Sequence, residues 1–198
     1  QGLAKPEILD TYNEERLPFA RWLMKFTDRG FKILTSDNRL IIFLRKYVAL
    51  HIAGLFLKAP GLKQFAFRTI SQIGITYRQN SLSKHRSNQK LKFKAGDRLP
   101  YMLMDNGQSL YELFKAPSFH LLHLSSNPLT TETKKDILNQ FPFQVEYVHQ
   151  AISEPWIKLG VMKPLYILAR PDNYILAVAD GESFQVRDML SPQYFIWC

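Results

Sequence analysis

The C-terminal half of the chain is organised around one apolar run, Phe119-His120-Leu121-Leu122-His123-Leu124. The shortness of the run and its apolar residues predict a buried strand. Thr130 can cap a helix over residues 131–140, with Glu132 near the positive end of that helix. A second strand is predicted over residues 143–148. The order strand, helix, strand indicates two parallel strands joined by a right-handed crossover.

A hairpin is predicted next, because the apolar segments 165–169 and 174–178 flank the turn sequence Arg170-Pro171-Asp172-Asn173. Proline presets φ, and Asp and Asn tolerate turn geometry, so the two segments should pair as antiparallel strands. A short helix is expected over residues 186–190. This order of elements is that of the thioredoxin core, and it predicts a thioredoxin-like βαβ-ββα domain over residues 96–198.

The N-terminal part of the chain reads as helical. The apolar residues recur with a helical period over residues 6 to about 30. Pro6 suits the first turn of a helix, where a missing N–H costs nothing. Pro18 is expected to kink the helix near Glu14, and Gly30 is expected to end it.

A second helix is expected from its cap, Asp37-Asn38, to residue 57, and a third helix over residues 62–73. The second helix is apolar, and a membrane span is one interpretation of it. Charged and titratable side chains near its middle make a helix buried against another protein surface the better interpretation. These side chains are Arg45, Lys46 and His51.

The stretch from residue 79 to residue 95 is polar and basic, and it predicts an exposed linker between the two parts. The chain carries 26 Lys and Arg against 17 Asp and Glu, a net charge of +9. Such a charge raises the possibility of nucleic-acid binding, with Tyr77, Phe93 and Tyr101 as stacking groups. A solvated linker is the simpler interpretation, and no nucleic-acid or membrane partner is expected. The predicted fold class is α+β.

Three stretches of the sequence resemble segments of the FAD-dependent aromatic-ring hydroxylases of the phenol hydroxylase and pentachlorophenol monooxygenase type. Residues 9–18 (LDTYNEERLP) resemble a helix that follows the family's second FAD motif. Residues 71–78 (SQIGITYR), with 95–100 (AGDRLP), resemble its "GIxYR…AGDRxP" join. Residues 169–174 (ARPDNY) resemble its closing hairpin, although asparagine stands where the family has a turn glycine.

The resemblance implies that the parent protein is a flavoprotein monooxygenase that uses FAD and NAD(P)H to hydroxylate phenolic rings. Residues 1–78 would continue from an upstream FAD-binding domain, and the start at Gln1 suits a fragment. The chain itself would provide structural support and dimer contacts in a cytoplasmic homodimer. The alternative is a free-standing, redox-inactive, thioredoxin-like interaction module, in which the helix over residues 40–57 would be covered by its own domain.

The sequence predicts no catalytic, cofactor-binding or metal-binding residue in this chain. Gly54 and Gly61 are isolated and form no phosphate cradle, and Gly96-Asp97 with Pro100 only superficially resembles a flavin motif. Thiol chemistry is excluded because the expected active loop, residues 125–128, has no cysteine and the single Cys198 is terminal. One cysteine is also compatible with the cytoplasm.

Two sets of polar residues could be assembled into sites on paper, and both are rejected. His120 and His123 should point to opposite faces of their strand, with no further metal ligands. A triad of Ser125 or Ser126 with His123 and Asp136 lacks a Gly-x-Ser-x-Gly elbow. The thioredoxin register also predicts a cis bond between Lys163 and Pro164.

Overall fold

The computed structural model describes residues 5–49, 54, 61, 67, 71, 74–104, 107–181, 184–191 and 193–195. Contacts divide the chain into two compact units, which are described separately. The first unit combines the residues up to Glu15 with those from Thr76 onward, and the second runs from Arg16 to Ile75. The described residues contain helices and a mixed five-stranded sheet, so the predicted α+β class is confirmed.

The first helix, α1, covers Ile8–Thr35 and includes Pro18 in its interior. The prediction that Gly30 ends the helix is wrong. The last carbonyl groups of a helix have no partner within the helix, and in α1 such a carbonyl lies beyond Gly30. The Arg45 guanidinium donates to the carbonyl of Leu34. A glycine inside a helix costs only about 1 kcal/mol relative to alanine, so the helix can continue through it.

The second helix, α2, covers Arg39–Phe43, and Asn38 caps it as predicted. The Asn38 side chain accepts a hydrogen bond of 2.9 Å from the amide of Leu40. The backbone continues as a π-helical segment over Leu44–Ala49. Apart from Gly54, which has helical backbone, the rest of the predicted second helix lies outside the described residues, as does most of the predicted third. Within the described parts of the chain, no helix is long and apolar enough to cross a membrane.

The strands are β1 Lys84–Arg86, β2 Phe119–Leu124, β3 Val145–Gln150, β4 Leu165–Ala169 and β5 Ile175–Asp180. They form one sheet in the order β1-β5-β4-β2-β3. Strands β2 and β3 are parallel, as are β1 and β5, whereas β4 is antiparallel to both β2 and β5.

The predicted strand–helix–strand order is confirmed. Helix α3, Thr131–Asn139, joins β2 to β3, and the Thr130 hydroxyl accepts a hydrogen bond from the amide of Thr133. Strand β3 begins two residues later than predicted, because its register is set by pairing with β2, which places Val145 opposite Phe119. The predicted hairpin of β4 and β5 is present too. Helices α4, Glu154–Lys158, and α5, Val186–Met189, are short.

Hydrophobic clusters cover both faces of the sheet. Strands β2, β4 and β5 are buried on both faces, as expected of central strands with nearly continuous apolar sequences. Leu122, Ile167 and Val178 belong to one cluster. Leu121 and Leu168, their neighbours along the strands, belong to the other. The apolar run from Phe119 to Leu124 therefore lies at the centre of the first unit.

The basic stretch from residue 79 to residue 95 differs from the exposed linker that its composition suggested. It supplies β1, which pairs in parallel with β5, and it buries Leu82 and Phe93 in the two clusters. The backbone of an edge strand can pair while its charged side chains stay in water. A basic composition alone therefore did not exclude a strand here.

The predicted cis bond between Lys163 and Pro164 is wrong, since no peptide bond among the described residues is cis. The prediction rested only on the position of Pro164 before β4. Nothing in the neighbouring sequence favours the rarer isomer, which about 5–6% of X–Pro bonds adopt.

Candidate functional site

Residues from all three family-like stretches lie together in the first unit. We call this group the motif junction. It is formed by Glu15, Arg78, Asn80, Asp97, Arg170 and Asp172. Helix α1, the loop before β1, the loop after Phe93 and the β4–β5 turn each contribute to it. Residues distant in the sequence thus form two hydrogen-bonded sets within the first unit: Glu15 with Asn80, Arg170 and Asp172, and Arg78 with Asp97.

A buried ion pair links α1 to the β4–β5 turn. The Arg170 guanidinium donates to both oxygens of Glu15, and the Glu15 side chain is only 5% exposed. Arg170 also donates to Asp172 within the turn, at 2.6 Å. Asn80 donates through its side-chain amide to the same Glu15 carboxylate. Each carboxylate oxygen therefore has a donor, which is the condition for keeping such a charge buried.

The neighbours of Arg170 determine the pKa of its guanidinium group. Burial on its own would lower the pKa of the guanidinium. The hydrogen bond to Glu15 and the charges of Asp172 and Glu15 outweigh burial and raise the pKa above its ordinary value. Arg170 therefore stays charged, and it serves as a permanent cationic partner for two carboxylates.

The neighbouring residue of α1, Glu14, connects the helix to Ser81 in the loop before β1. It accepts hydrogen bonds from both the amide and the hydroxyl of Ser81, at 2.9 and 2.7 Å. These bonds lower the pKa of Glu14. The Ser81 hydroxyl lies 2.7 Å from the Tyr194 hydroxyl, and the Ser81 carbonyl accepts from Ser191. The start of α1, the loop before β1 and the end of the chain are thereby joined.

Asp97 and Arg78 form the other half of the junction. Arg78 donates to both oxygens of Asp97, at 2.6 and 2.8 Å, which raises the pKa of the guanidinium. Gly96 has φ of +88°, and a Cβ there would lie 2.4 Å from the Tyr77 backbone. Its amide donates to the Ile175 carbonyl at 2.7 Å. This glycine is needed for close backbone approach, and Asp97 is engaged within the domain.

A cavity of about 260 Å³ adjoins the ion pair of Glu15 and Arg170. Most of its wall is apolar and is supplied by Leu82, Phe119 and Leu176 among others. The polar atoms of the ion pair that border it are already bonded to each other. The described residues that line the cavity thus offer no charged group that is not already paired, and the junction holds α1 against the β4–β5 turn.

The rejected serine triad is only partly assembled. Ser125 Oγ lies 3.5 Å from His123 Nδ1, but its hydrogen bond goes to the Asn127 carbonyl. The partner of His123 Nδ1 is the Tyr147 hydroxyl at 2.9 Å, and no ion pair joins the ring to a carboxylate of a described residue. Asp136 uses its main-chain carbonyl within α3. His149 Nε2 also lies 3.3 Å from Ser125 Oγ, but no carboxylate of a described residue pairs with either ring as the orienting acid of a hydrolase would.

The two histidines of β2 lie on opposite faces, as predicted. His120 contacts Phe114 and Glu146, whereas His123 stacks on Tyr166 with ring centroids 4.5 Å apart. In the part of the chain that the structure describes, no three His, Cys, Asp or Glu side chains are grouped so as to hold a metal ion. The sequence did not point to Tyr147 and His149, which face His123 from β3; only the register of β2 and β3 reveals them.

The aromatic groups considered for nucleic-acid stacking are divided between core and surface. Tyr77 and Phe93 are buried, and Phe93 packs edge-on against Trp156. Tyr101 is 72% exposed. Two of the three groups are therefore unavailable to a base.

No protein-family model and no curated protein sequence matches this chain. Several solved structures, by contrast, match this chain. The OxyS anhydrotetracycline hydroxylase from Streptomyces rimosus aligns with 98% of this chain and 36% of its own, at 23% identity and a TM-score of 0.63. CabE, an aromatic hydroxylase from angucycline biosynthesis, aligns with 100% of this chain and 37% of its own, at 18% identity and a TM-score of 0.63.

The flavin-dependent monooxygenase PieE, solved with FAD and substrate, aligns with 90% of this chain and 38% of its own. The identity is 19% and the TM-score 0.59. The chain therefore spans little more than a third of the length of these structures. It shares the fold of that part of each of them.

Proposed function

We propose that this chain is the C-terminal region of an FAD-dependent, NAD(P)H-using monooxygenase that hydroxylates phenolic rings. The motif junction carries the proposal. Glu15 and Arg170, which are 155 residues apart, come from two stretches singled out for their resemblance to that family, and they form its buried ion pair. The shared fold with part of three flavin or aromatic hydroxylases supports the same conclusion.

The role proposed for the chain is structural support, without catalysis of its own. The described residues do not fit a flavin: Gly54 and Gly61 lie in helical backbone, and Asp97 is bonded to Arg78. The phosphates of FAD need a glycine-rich turn at a helix start. The upstream FAD-binding domain would hold the cofactor, which supplies the oxygen-transfer chemistry.

The second unit carries an apolar surface suited to a partner. Trp22, Phe26 and Phe31 on α1 are 46%, 59% and 68% exposed, and Leu40 and Phe43 on α2 are 65% and 54% exposed. Exposed apolar residues in such density are typical of an interaction surface. The free-standing alternative requires instead that the chain's own domain covers these side chains. The proposed occupants are the upstream FAD-binding domain and a second copy in a cytoplasmic homodimer.

The thioredoxin-like character of the first unit also remains a proposal. The strand order β3-β2-β4-β5, with the first two strands parallel and the last two antiparallel to their neighbours, supports it. The trans bond before Pro164 counts against the thioredoxin-like assignment, which predicts a cis bond at this position.

Flavin binding tests the proposal. The 198-residue chain, mixed with FAD and NADPH and then freed of unbound flavin, should show no flavin absorbance and no NADPH oxidation. The longer product of the same reading frame, extended upstream, should purify with bound FAD and oxidise NADPH when phenols are supplied. A flavin retained by the 198-residue chain, or a longer product without flavin, would overturn the proposal.

A further inference from the structure

A chain of hydrogen bonds closes the loop between β2 and α3. The amide of Leu129 donates to the Tyr147 hydroxyl at 3.2 Å. The Tyr147 hydroxyl lies 2.9 Å from His123 Nδ1. The tyrosine oxygen accepts from Leu129 and can donate its own proton to Nδ1, which in that arrangement is unprotonated. This arrangement requires a neutral His123.

A second histidine holds the start of the same loop. His149 Nε2 lies 3.1 Å from the Ser125 carbonyl, and the amide of Ser125 donates to the Gln150 carbonyl. His149 is the register partner of His123, and their ring centroids are 5.6 Å apart. Two protonated rings at this distance would repel each other.

Among the described residues, none of the groups that face His123 is a carboxylate that would compensate a positive charge. The groups facing it are Tyr147 and His149 from β3 and Tyr166 from β4. From α3, the Lys134 ammonium lies over the Tyr147 ring and adds a further positive charge. The acidic residue of β3, Glu146, pairs with His120 instead.

We propose that the neutral ring of His123 is an acid-sensitive latch that keeps the β2–α3 loop, residues 125–129, closed on the sheet. Protonation of Nδ1 removes the acceptor of the Tyr147 proton and places a charge beside His149. Opening of the loop relieves both, since it brings water to the ring. The latch is independent of the proposed flavin function, because the described residues of the first unit supply all its parts.

The pKa of His123 agrees with this geometry. Burial, followed by the charge of His149, lowers it from 6.5 to about 4. A lowered pKa means that the closed form is favoured above pH 6.5 and loses this advantage as pH falls towards 4. We assume that the pKa of His123 returns to its ordinary value when the loop opens. The equilibrium constant for loop opening then rises roughly 30-fold as the pH falls from about 7.5 to about 5.

Amide hydrogen exchange of the 198-residue chain, followed by NMR, tests the latch. Protection of the Leu129 and Ser125 amides, corrected for intrinsic exchange, should fall by that factor, whereas the β4 amides should stay protected. The variant His123→Phe keeps an aromatic ring against Tyr166 but takes no proton. Its loop protection should be independent of pH. The matched control His85→Gln, at an exposed position on β1, should keep the wild-type pH dependence.

Two results would overturn the proposal: unchanged loop protection in the wild type, or an undiminished pH dependence in His123→Phe. If that variant does not fold, direct titration of the His123 ring in the wild type decides. A midpoint near 4 supports the latch. A midpoint at or above 6.5 refutes it.

Discussion

The buried pair of Glu15 and Arg170 shows how single residues tie α1 to the sheet. Both charges are largely removed from water, and each is compensated by the other and by Asn80 or Asp172. Desolvation makes such a pair a weak source of net stability, but the loss of one partner leaves an uncompensated buried charge. The residues are therefore interdependent.

We expect Arg170→Leu to lower the free energy of unfolding by about 3–5 kcal/mol, because it leaves the Glu15 carboxylate buried without its cation. Urea denaturation of the isolated chain measures this change. The control is Lys158→Ala, which removes the exposed ion pair with Glu154 and should leave the midpoint nearly unchanged. Equal losses in the two variants would show that the Glu15–Arg170 pair is not buried in solution.

The sequence located the residues of the junction without showing that they meet. Glu15, Asp97 and Arg170 all lie in stretches that resembled one family, but a single sequence does not show which charges pair across 155 positions. The sequence shows only that the paired residues have opposite charges. In a chain with 26 basic and 17 acidic residues, many other pairs meet that condition. Tertiary packing, which has no local pattern, decides among them.

At the scale of secondary structure, elements with a strong local signal were predicted well. Strand β2 and strand β4 have the predicted bounds, since continuous apolar runs of this length suit a buried strand. The capped helices begin after Asn38 and Thr130 as expected. Strand β1 was missed because it has three residues and carries Lys84 and Arg86. Only pairing with β5 identifies it.

The cap of α3 gives a prediction for this scale. Thr130→Ala removes the side-chain acceptor of the Thr133 amide and should reduce the free energy of unfolding by about 1 kcal/mol. The matched control is Ser153→Ala at the start of α4, where the serine side chain makes no capping hydrogen bond. Thermal or urea unfolding should show a clearly smaller effect for the control. Similar effects would mean that the Thr130 cap is not formed in solution.

At the scale of the whole molecule, the two units differ in how far they bury their large apolar side chains. The first unit buries them on both faces of its sheet. The second leaves large ones exposed on α1 and α2, including Phe31 and Leu40. Under the proposed function a partner covers this surface, which would then contribute little to the stability of the isolated chain and become energetically important only in the complex.

Substitutions in the two units should therefore have opposite patterns. Phe31→Ser, at a position 68% exposed, should change the free energy of unfolding of the isolated chain by less than about 0.5 kcal/mol. Phe93→Ala, at a position 4% exposed, should cost about 3–5 kcal/mol in the same chain because it leaves a cavity in the core. In the longer product that the proposed function requires, Phe31→Ser should become clearly destabilising, since the proposed upstream FAD-binding domain would cover its ring. Thermal unfolding followed by flavin release measures that effect, and an unchanged midpoint would show that this face of α1 contacts no upstream domain.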